Sequence, residues 1–284
     1  SHLWSPHIPE LGPLSGGLVG YMGYEIVRRL EKIPNHSKRD VEIPEIAYML
    51  TSDLAVYDHF EGSLTLIANA INWDGSDDRV DDAYADACAR LEAMKVLASK
   101  PLEAHITMPT GKSDVKFDRN MSSDEYCEKV EKIKEEIRSG EAFQVVLSQR
   151  FSMDCSASAY DVYRALRLQN PSPYMYLFRF HGGLDIVGSS PEALVKINEG
   201  EVMIHPIAGT RPRSDSPEID AQRGEELLAD PKERAEHLML VDLGRNDLGR
   251  VCEPGSVEVI EFMHLERYSH VMHIVSTVIG KLDS

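Results

Sequence analysis

Cysteine is too sparse in this sequence to build a disulfide framework or a zinc ribbon. The 284 residues include four cysteines, and no two of them form a Cys-x-x-Cys pair. They are Cys88, Cys127, Cys155 and Cys252. Disulfide scaffolds and zinc sites need denser and more regular spacings. The sequence therefore favours a protein of the reducing cytoplasm.

Positive charge is also in short supply. Lysine and arginine number 30 against 47 acidic residues, which gives a net charge of −17. Such a balance argues against a general affinity for nucleic acid or for an anionic membrane surface. We therefore expect neither as a partner, and any anionic ligand must be held by local positive groups or by a metal ion.

Long apolar runs and signals at the start of the chain are missing too. No apolar stretch approaches the roughly 18 residues that span a bilayer, and S-H-L-W-S-P has no basic segment followed by an apolar one. We expect this start to be an interior cut of a longer protein. The Gly-rich run Gly16–Tyr24 lacks the G-x-G-x-x-G order and a P-loop lysine, which favours close backbone packing over nucleotide binding.

The apolar content, 42% of the residues, is enough for a substantial core. Short apolar runs in the first 70 residues predict strands, and an amphipathic stripe predicts a helix over residues 77–98. A polar stretch with proline and glycine follows at residues 99–118 and is typical of a linker. We therefore predict an N-terminal region with its linker over residues 1–115 and a second domain over residues 116–284.

The second domain begins with the clearest helix of the chain. Ser122 and Glu125 form a capping box, and Gly140 stands where the helix should end. Alternating residues then predict a strand over Phe143–Ser148, followed by a helix near 157–168. Further strands are predicted at residues 174–180, 184–188, 193–197 and 201–207, with a turn at 198–200. Consecutive strands joined by short turns predict an α+β fold of antiparallel sheets with helices packed on them.

The segment I-H-P-I-A-G-T-R-P-R, residues 204–213, combines a strand break with polar groups. Pro206 interrupts the strand pattern, and Thr210, Arg211 and Arg213 then offer a hydroxyl and two guanidinium groups. This local chemistry predicts a turn that binds an anion.

Two carboxylates are predicted to share a face of a later helix. Asp230 and the following proline mark the helix start, and Glu233 and Glu236 then lie three residues apart on one face. A hard divalent cation such as Mg²⁺ would relieve their repulsion. An ordinary solvated acidic face explains the same pattern, so both interpretations stay open on local chemistry.

Two further groups could handle protons. His270 and His273 flank Val271-Met272 in a predicted strand, and their spacing places them on opposite faces. One could act as an acid or base, although a hydrogen-bonded core histidine fits equally well. Glu192 directly follows a strand, where apolar neighbours could raise the pKa of its carboxyl group and make it a general acid.

Six segments, taken in chain order, resemble the chorismate-utilising enzymes, and most closely the members that form anthranilate. The segments are Gln144–Phe151, Asn170–Met175, Ser189–Glu192, Pro206–Arg213, Glu236–Arg250 and Val271–Ser276. The resemblance extends from about Gly16 to the end of the chain. Its departures are small, with Gly244 and Gly249 where the family often has alanine.

The resemblance implies a fold and an active site. The fold would be antiparallel sheets packed as a sandwich with helices on the outer faces, of which residues 116–284 are the first part. By analogy, Glu192 would be the general acid and His273 the histidine that handles protons. Glu236 would be a Mg²⁺ ligand with Glu233 a nearby carboxylate, and Gly209 and Thr210 would line the substrate pocket.

Two positions separate the branches of this family. Members that add water carry a lysine base where this chain has Gln144, and members that aminate at C4 commonly carry a nucleophilic lysine in place of Ala208. The resemblance therefore implies Mg²⁺-dependent conversion of chorismate and ammonia to anthranilate and pyruvate, with ammonia from a glutamine amidotransferase partner. The para-aminobenzoate branch, and a catalytically inert fragment that binds tryptophan or the partner, stay open as alternatives.

The resemblance also implies an effector site and missing parts. Pro173, Tyr174 and Met175 correspond to part of the family's tryptophan feedback site, whose other part lies upstream and is missing here. At the other end, the family continues into a Gly/Ser-rich loop, an arginine for the substrate carboxylate and a second pair of metal-binding glutamates. We therefore expect the chain to be truncated at both ends and weak or inactive alone.

Overall fold

The chain folds into two compact units. The structure is a computed structural model and describes residues 8–35, 39–102 and 116–283. One unit comprises Ser1–Ile106 with Phe178–Asp185, and the other comprises Thr107–Leu177 with Ile186–Ser284. The predicted domain boundary and most of the predicted linker fall on residues 103–115, outside the described residues, so that boundary stays a prediction.

The first unit is built from two antiparallel strand pairs and one long helix. Its elements are β1 (Gly17–Met22), β2 (Ile46–Thr51), β3 (Asp53–Asp58), β4 (Ser63–Ala68) and α1 (Val80–Ala98). β1 pairs with β2, and β3 pairs with β4. A single 3₁₀ turn, Asp77–Arg79, precedes α1, so the helix predicted over residues 77–98 is confirmed.

The second unit starts with short elements around two helices. They are β5 (Asp118–Arg119), α2 (Ser123–Arg138), β6 (Phe151–Ser152) and α3 (Ala159–Gln169). The predicted capping box is confirmed, because Ser122 accepts from the Glu125 backbone and Glu125 accepts from the Ser122 backbone. Gly140 has a φ of +86° just beyond the helix end, a left-handed conformation that glycine adopts without strain.

The strand predicted over Phe143–Ser148 is wrong, since the chain from 141 to 150 has no regular secondary structure. The next strand, β6, forms only a two-residue ladder with β5. Alternation of apolar residues makes a strand only where a neighbouring strand supplies partners for the backbone groups. Phe143 is 91% exposed and Val146 is 86% exposed, so this alternation does not mark a buried face in the described structure.

Five more strands and two helices follow along the chain, and the end of β7 and the first residue of β8 belong to the segment Phe178–Asp185 of the first unit. The strands are β7 (Tyr174–Arg179), β8 (Asp185–Ser190), β9 (Lys196–Asn198), β10 (Glu201–Ile204) and β11 (Ile207–Pro212). The helices α4 (Pro217–Ala229) and α5 (Pro231–Gly249) follow. β7 pairs with β8. The turn predicted at residues 198–200 is confirmed, whereas the strand predicted from residue 193 begins only at Lys196.

The last two strands organise the main sheet. β12 (Glu258–Arg267) lies along one edge of β13 (Val271–Lys281), and β10 and β11 lie one after the other along its other edge. Pro206 separates β10 from β11, because it has no N–H to donate to the ladder. Its carbonyl still accepts from the Ser276 backbone N–H at 3.1 Å. The predicted strand break is therefore confirmed.

Helices α4 and α5 contribute to the core that lies against this sheet. Met272 and Ile274 of β13 pack with Leu227 of α4. A second cluster contains Val202, Val241, Leu248, Cys252 and Val278. The predicted α+β class with antiparallel sheets is confirmed. Within the residues that the structure describes, no helix combines the length and apolar character needed to cross a membrane.

Candidate functional site

His273 lies on β13 against an irregular part of β11. Its Nδ1 donates to the Gly209 carbonyl at 2.9 Å and lies 3.2 Å from Thr210 Oγ1. A carbonyl can only accept, so Nδ1 carries the ring proton and Nε2 of the neutral ring keeps its lone pair. The structure thus brings together three of the predicted site residues, and the histidine can act as a base through Nε2.

Gly209 allows this arrangement. The register between β11 and β13 shifts between Ala208 and Arg211, and Gly209 has a φ of +70°. A Cβ atom at this position would lie 3.0 Å from Leu227 Cδ1 and 3.1 Å from Glu233 Oε2. The bulge therefore needs glycine, both for its left-handed backbone and for the close approach of α4 and α5.

The two arginines after Thr210 are occupied by internal ion pairs. Arg211 Nη2 lies 2.9 Å from Asp230 Oδ2, and its Nη1 lies 3.4 Å from Glu233 Oε1. Arg213 Nε lies 2.8 Å from Asp220 Oδ1. Carboxylates of α4 and of the start of α5 thus already pair with both guanidinium groups, and the anion site predicted at this turn stays a prediction.

The two glutamates of α5 have different surroundings. Asp230 caps the helix by accepting from the backbone of Lys232 and Glu233, as predicted. Glu233 pairs with Arg211, whereas Glu236 accepts a hydrogen bond from Gln144 Nε2 at 2.9 Å. Among the described residues, no cationic side chain forms an ion pair with Glu236. Of the two glutamates, Glu236 is therefore the one whose negative charge remains for a cation.

Glu236 fits Mg²⁺ as one ligand, although no complete metal site is formed by this part of the chain. Within the described ranges, no group of three or more histidine, cysteine or carboxylate side chains could hold a metal ion. Mg²⁺ commonly keeps several waters and takes only one or two protein carboxylates. A single partly buried carboxylate with an amide donor beside it matches that demand, and Glu233 fits less well because Arg211 neutralises it.

Glu192 follows β8 and faces the β10–β11 break. The residue as a whole is exposed. Loss of water around its carboxylate nevertheless raises the pKa of Glu192, and a hydrogen bond from the Ile207 N–H opposes this rise. His205 and His273 oppose it further through their charges. Glu192 and His205 also line one groove of about 310 Å³. A carboxyl group with a raised pKa beside a groove can serve as a general acid.

His205 belongs to a polar chain that sequence reasoning missed. Thr277 Oγ1 donates to Glu261 Oε2 at 2.7 Å, and His205 Nδ1 lies 3.2 Å from both Thr277 Oγ1 and the Ser276 carbonyl. The carbonyl can only accept, so Nδ1 carries the proton here too. The period of two along β13 places Thr277 on the same face as His273, which is the sequence signal that could have found this chain.

A second missed pair, His237 and Ser276, lies in the core. His237 Nε2 is 2.7 Å from Ser276 Oγ, and both residues have no exposed surface. Burial, and then the nearby His264, lower the pKa of His237 to about 4. A serine and histidine at this distance could suggest a nucleophile and its base, but complete burial leaves a substrate no access to them.

The candidate effector residues lie at the start of β7. Pro173 and Tyr174 are exposed, and Met175 is partly buried. The adjacent Ser172 contacts Ser189 of β8 through their hydroxyl groups at 2.6 Å, and β8 leads to Glu192. The structure therefore connects this segment to the strand that precedes Glu192, while what the segment binds stays a prediction.

Comparison with known proteins adds independent findings. Residues 4–284 match the sequence profile of the chorismate binding enzymes. The chain is 56% identical over 278 residues to anthranilate synthase component 1 of Mycolicibacterium smegmatis, covering 96% of this chain and 53% of that protein. The chain thus spans about half the length of the curated relatives it matches.

Solved structures point the same way. The fold matches anthranilate synthase component I from Streptococcus pneumoniae with a TM-score of 0.81 and 34% identity, over 99% of this chain and 60% of that one. A putative 2,3-dihydroxybenzoate-specific isochorismate synthase from Bacillus anthracis matches with a TM-score of 0.53 and 26% identity. That match covers 66% of this chain and 50% of the other.

Proposed function

Because the chain belongs to the chorismate binding enzymes, we propose that the protein acts as the chorismate-binding subunit of an anthranilate synthase in the cytoplasm. It converts chorismate and ammonia to anthranilate, pyruvate and water. The observation that carries this proposal is the convergence of His273, Gly209 and Thr210 beside the β10–β11 break that Glu192 faces. The identity to component 1 of anthranilate synthases supports it.

Charge is the first problem that such an enzyme must solve. Chorismate carries two carboxylates, the protein has a net charge of −17, and Arg211 and Arg213 are already paired. Glu236 would hold a Mg²⁺ ion, which supplies positive charge for the ring carboxylate when bound. Gln144 donates to Glu236 and orients the carboxylate oxygen that the amide does not use.

Glu192 and His273 divide the proton transfers. Glu192 donates a proton to the C4 hydroxyl, which leaves as water while ammonia bonds to C2. Its raised pKa keeps it protonated at higher pH than an ordinary carboxyl group. His273 Nε2 then removes the C2 proton, the C3–O bond breaks, and the enolpyruvyl group leaves as the enolate of pyruvate, which takes up that proton at its methylene carbon. The extra proton on the new C2 amino group returns to the Glu192 carboxylate. The hydrogen bond from Nδ1 to Gly209 keeps the lone pair on Nε2.

Two side chains favour ammonia attack at C2. Gln144 carries an amide that cannot deprotonate water, so addition of water lacks its base. Ala208 is 8% exposed and has no amine to attack C4. Ammonia would come from a glutamine amidotransferase subunit, and tryptophan would bind at Pro173, Tyr174 and Met175 as a feedback inhibitor.

Product analysis tests this proposal. The full-length protein is incubated with chorismate, Mg²⁺ and an ammonium salt, and the products are identified by mass spectrometry. We expect anthranilate and pyruvate in equal amounts. Accumulation of 4-amino-4-deoxychorismate would assign the protein to the para-aminobenzoate branch, and isochorismate would overturn the inference from Gln144.

A variant in the same assay tests the acid. Glu192→Gln should lower kcat by about 100-fold or more, while chorismate binding measured by calorimetry changes little because the amide keeps the shape of the side chain. A Glu192→Gln enzyme with a near-normal rate would remove the acid assignment without affecting the product assignment.

A further inference from the structure

The buried bond between His237 and Ser276 connects helix α5 to strand β13 next to the proposed cation ligand. We propose that His237 and Ser276 are positioning residues whose hydrogen bond fixes the position of the Glu236 carboxylate for cation binding. This inference rests on the proposed function, and its outcome can be separated from that of the function itself. Both residues have no exposed surface, so each would act through Glu236 and not by direct contact with the cation or the substrate.

Ser276 joins three parts of the site through one residue. Its N–H donates to the Pro206 carbonyl at 3.1 Å, and its carbonyl accepts from His205 Nδ1 at 3.2 Å. Its hydroxyl lies 2.7 Å from His237 Nε2 and accepts from the Met263 N–H at 2.9 Å. The strand break, helix α5 and β12 are therefore all held at the same point of β13.

Helix α5 needs such a directional contact near Glu236. Its buried apolar residues, Val241 and Leu248, lie further along the helix, and apolar contacts resist sliding or rotation weakly because they are not directional. The ion pair of Arg211 with Glu233 at the helix start is partly exposed, which limits its strength. His237 directly follows Glu236, so fixing its ring fixes the backbone that carries the carboxylate.

Stability alone does not account for a histidine at this position. His237 has no exposed surface, and its Nδ1 has no hydrogen-bond partner among the residues that the structure describes. Burying an unpaired polar atom is unfavourable, and an apolar side chain of similar size avoids it. A histidine at this position, at the expense of stability, is explained if its Nε2 holds α5 in register with β13 through Ser276.

Metal binding without turnover gives a direct measurement. Mn²⁺, which prefers the same oxygen ligands as Mg²⁺, is titrated into the full-length protein, and free Mn²⁺ is followed by electron paramagnetic resonance. Ser276→Ala and His237→Met should weaken binding by about 10-fold, the usual effect of losing a partner behind a metal ligand. His237→Gln should stay within about threefold, because its Nε2 can reach the same hydroxyl.

The adjacent Thr277 provides a matched control. It is 2% exposed on the same strand but bonds to Glu261 and His205 rather than to α5. Thr277→Val should therefore leave Mn²⁺ affinity unchanged. In parallel thermal unfolding, His237→Met should melt no earlier than the parent, which separates positioning from simple loss of stability and guards against a misfolded Ser276→Ala.

Each result decides the inference. Parental affinity in both Ser276→Ala and His237→Met, or an equal loss in Thr277→Val, overturns the positioning role. Glu236→Gln should abolish the binding that is being measured. If Glu236→Gln abolishes it and the other variants do not weaken it, only the positioning role fails. If the parent binds no Mn²⁺ at Glu236, the metal site of the proposed function fails as well.

Discussion

Gly209 joins backbone geometry to chemistry at the scale of a single residue. Its left-handed φ of +70° shapes the bulge that turns its carbonyl toward His273 Nδ1. The same conformation brings the backbone against Leu227 and Glu233. A side chain at this position would thus strain the bulge and displace the acceptor that determines which nitrogen of His273 carries the proton.

We predict that Gly209→Ala lowers both stability and activity. The left-handed backbone costs alanine about 1–2 kcal/mol, and the new Cβ would press on Leu227 Cδ1 at 3.0 Å. The free energy of unfolding in urea should fall by at least that amount. The value of kcat should fall with it, because the His273 acceptor moves.

Gly249, at the end of α5, is a matched control for this change. Apart from its chain neighbours and its own helix backbone, no atom of the described residues lies within 4 Å of the position that its Cβ would take, and its φ is not left-handed. Gly249→Ala should therefore leave activity unchanged and keep or slightly raise stability. If the two alanine variants behaved alike, the special role of the bulge would be refuted.

Residues that act within their own segment were predictable from the sequence. The capping of α2 by Ser122, the capping of α5 by Asp230 and the break at Pro206 depend on neighbours a few positions away, and each is confirmed. The contact of Gln144 with Glu236 joins positions 92 apart. No local pattern encodes such a distance, so spacing alone could not predict the contact.

At the scale of elements, a buried carboxylate ties α4 to two strands. Asp220 is 7% exposed and accepts from Arg213 Nε at 2.8 Å, from the Ser214 N–H at 3.1 Å and from Arg267 Nε at 3.3 Å. Arg213 follows β11, and Arg267 ends β12. Hydrogen bonding from Arg213 is the main cause that lowers the pKa of Asp220.

We predict that Asp220→Asn destabilises the second unit at neutral pH. The lowered pKa means that the carboxylate stabilises the fold above its ordinary value of 3.8 and loses this effect as pH falls through the folded value. The full effect is therefore present at pH 7. The variant leaves two guanidinium groups without their anion, and its thermal midpoint should fall by roughly 5 °C or more.

Glu218 provides the control for this helix. It is an exposed carboxylate on α4 that accepts from the Ser216 hydroxyl, so Glu218→Gln should change the midpoint by less than about 2 °C. Equal midpoints for Asp220→Asn and the parent, measured by calorimetry, would contradict the role given to Asp220.

The type of an element was predictable where helical periodicity or a capped start marks it, and the prediction was wrong where distant pairing partners decide the structure. Helix α2 carries both signals, α1 carries the apolar stripe without a side-chain cap, and α5 carries the cap at Asp230. The alternation at Phe143–Ser148 carries only a pattern, and the described structure supplies no strand beside it. Strand formation depends on distant backbone groups, which explains why this prediction failed and the helix predictions did not.

At the scale of the whole molecule, buried apolar residues are unevenly divided between the two units. Among the described residues, Ile67 and Ala87 are the buried apolar residues of the first unit. In the second unit β13 alone buries Met272, Ile274, Val275 and Val278 at 0% exposure. The most stable part of the chain should therefore surround β13, because local stability follows buried contact.

We predict that hydrogen exchange of the full-length protein follows this division. Amides of Met272–Val278, which have partner strands on both sides, should exchange slowest, at rates set by global unfolding. Amides of β1 and β2 should exchange at least about 10-fold faster, because that two-stranded sheet has partly or fully exposed side chains throughout. Mass spectrometry of peptic fragments measures both. Equal protection of β1 and β13, after correction for intrinsic rates, would show that stability is not concentrated in the sheet that carries His273.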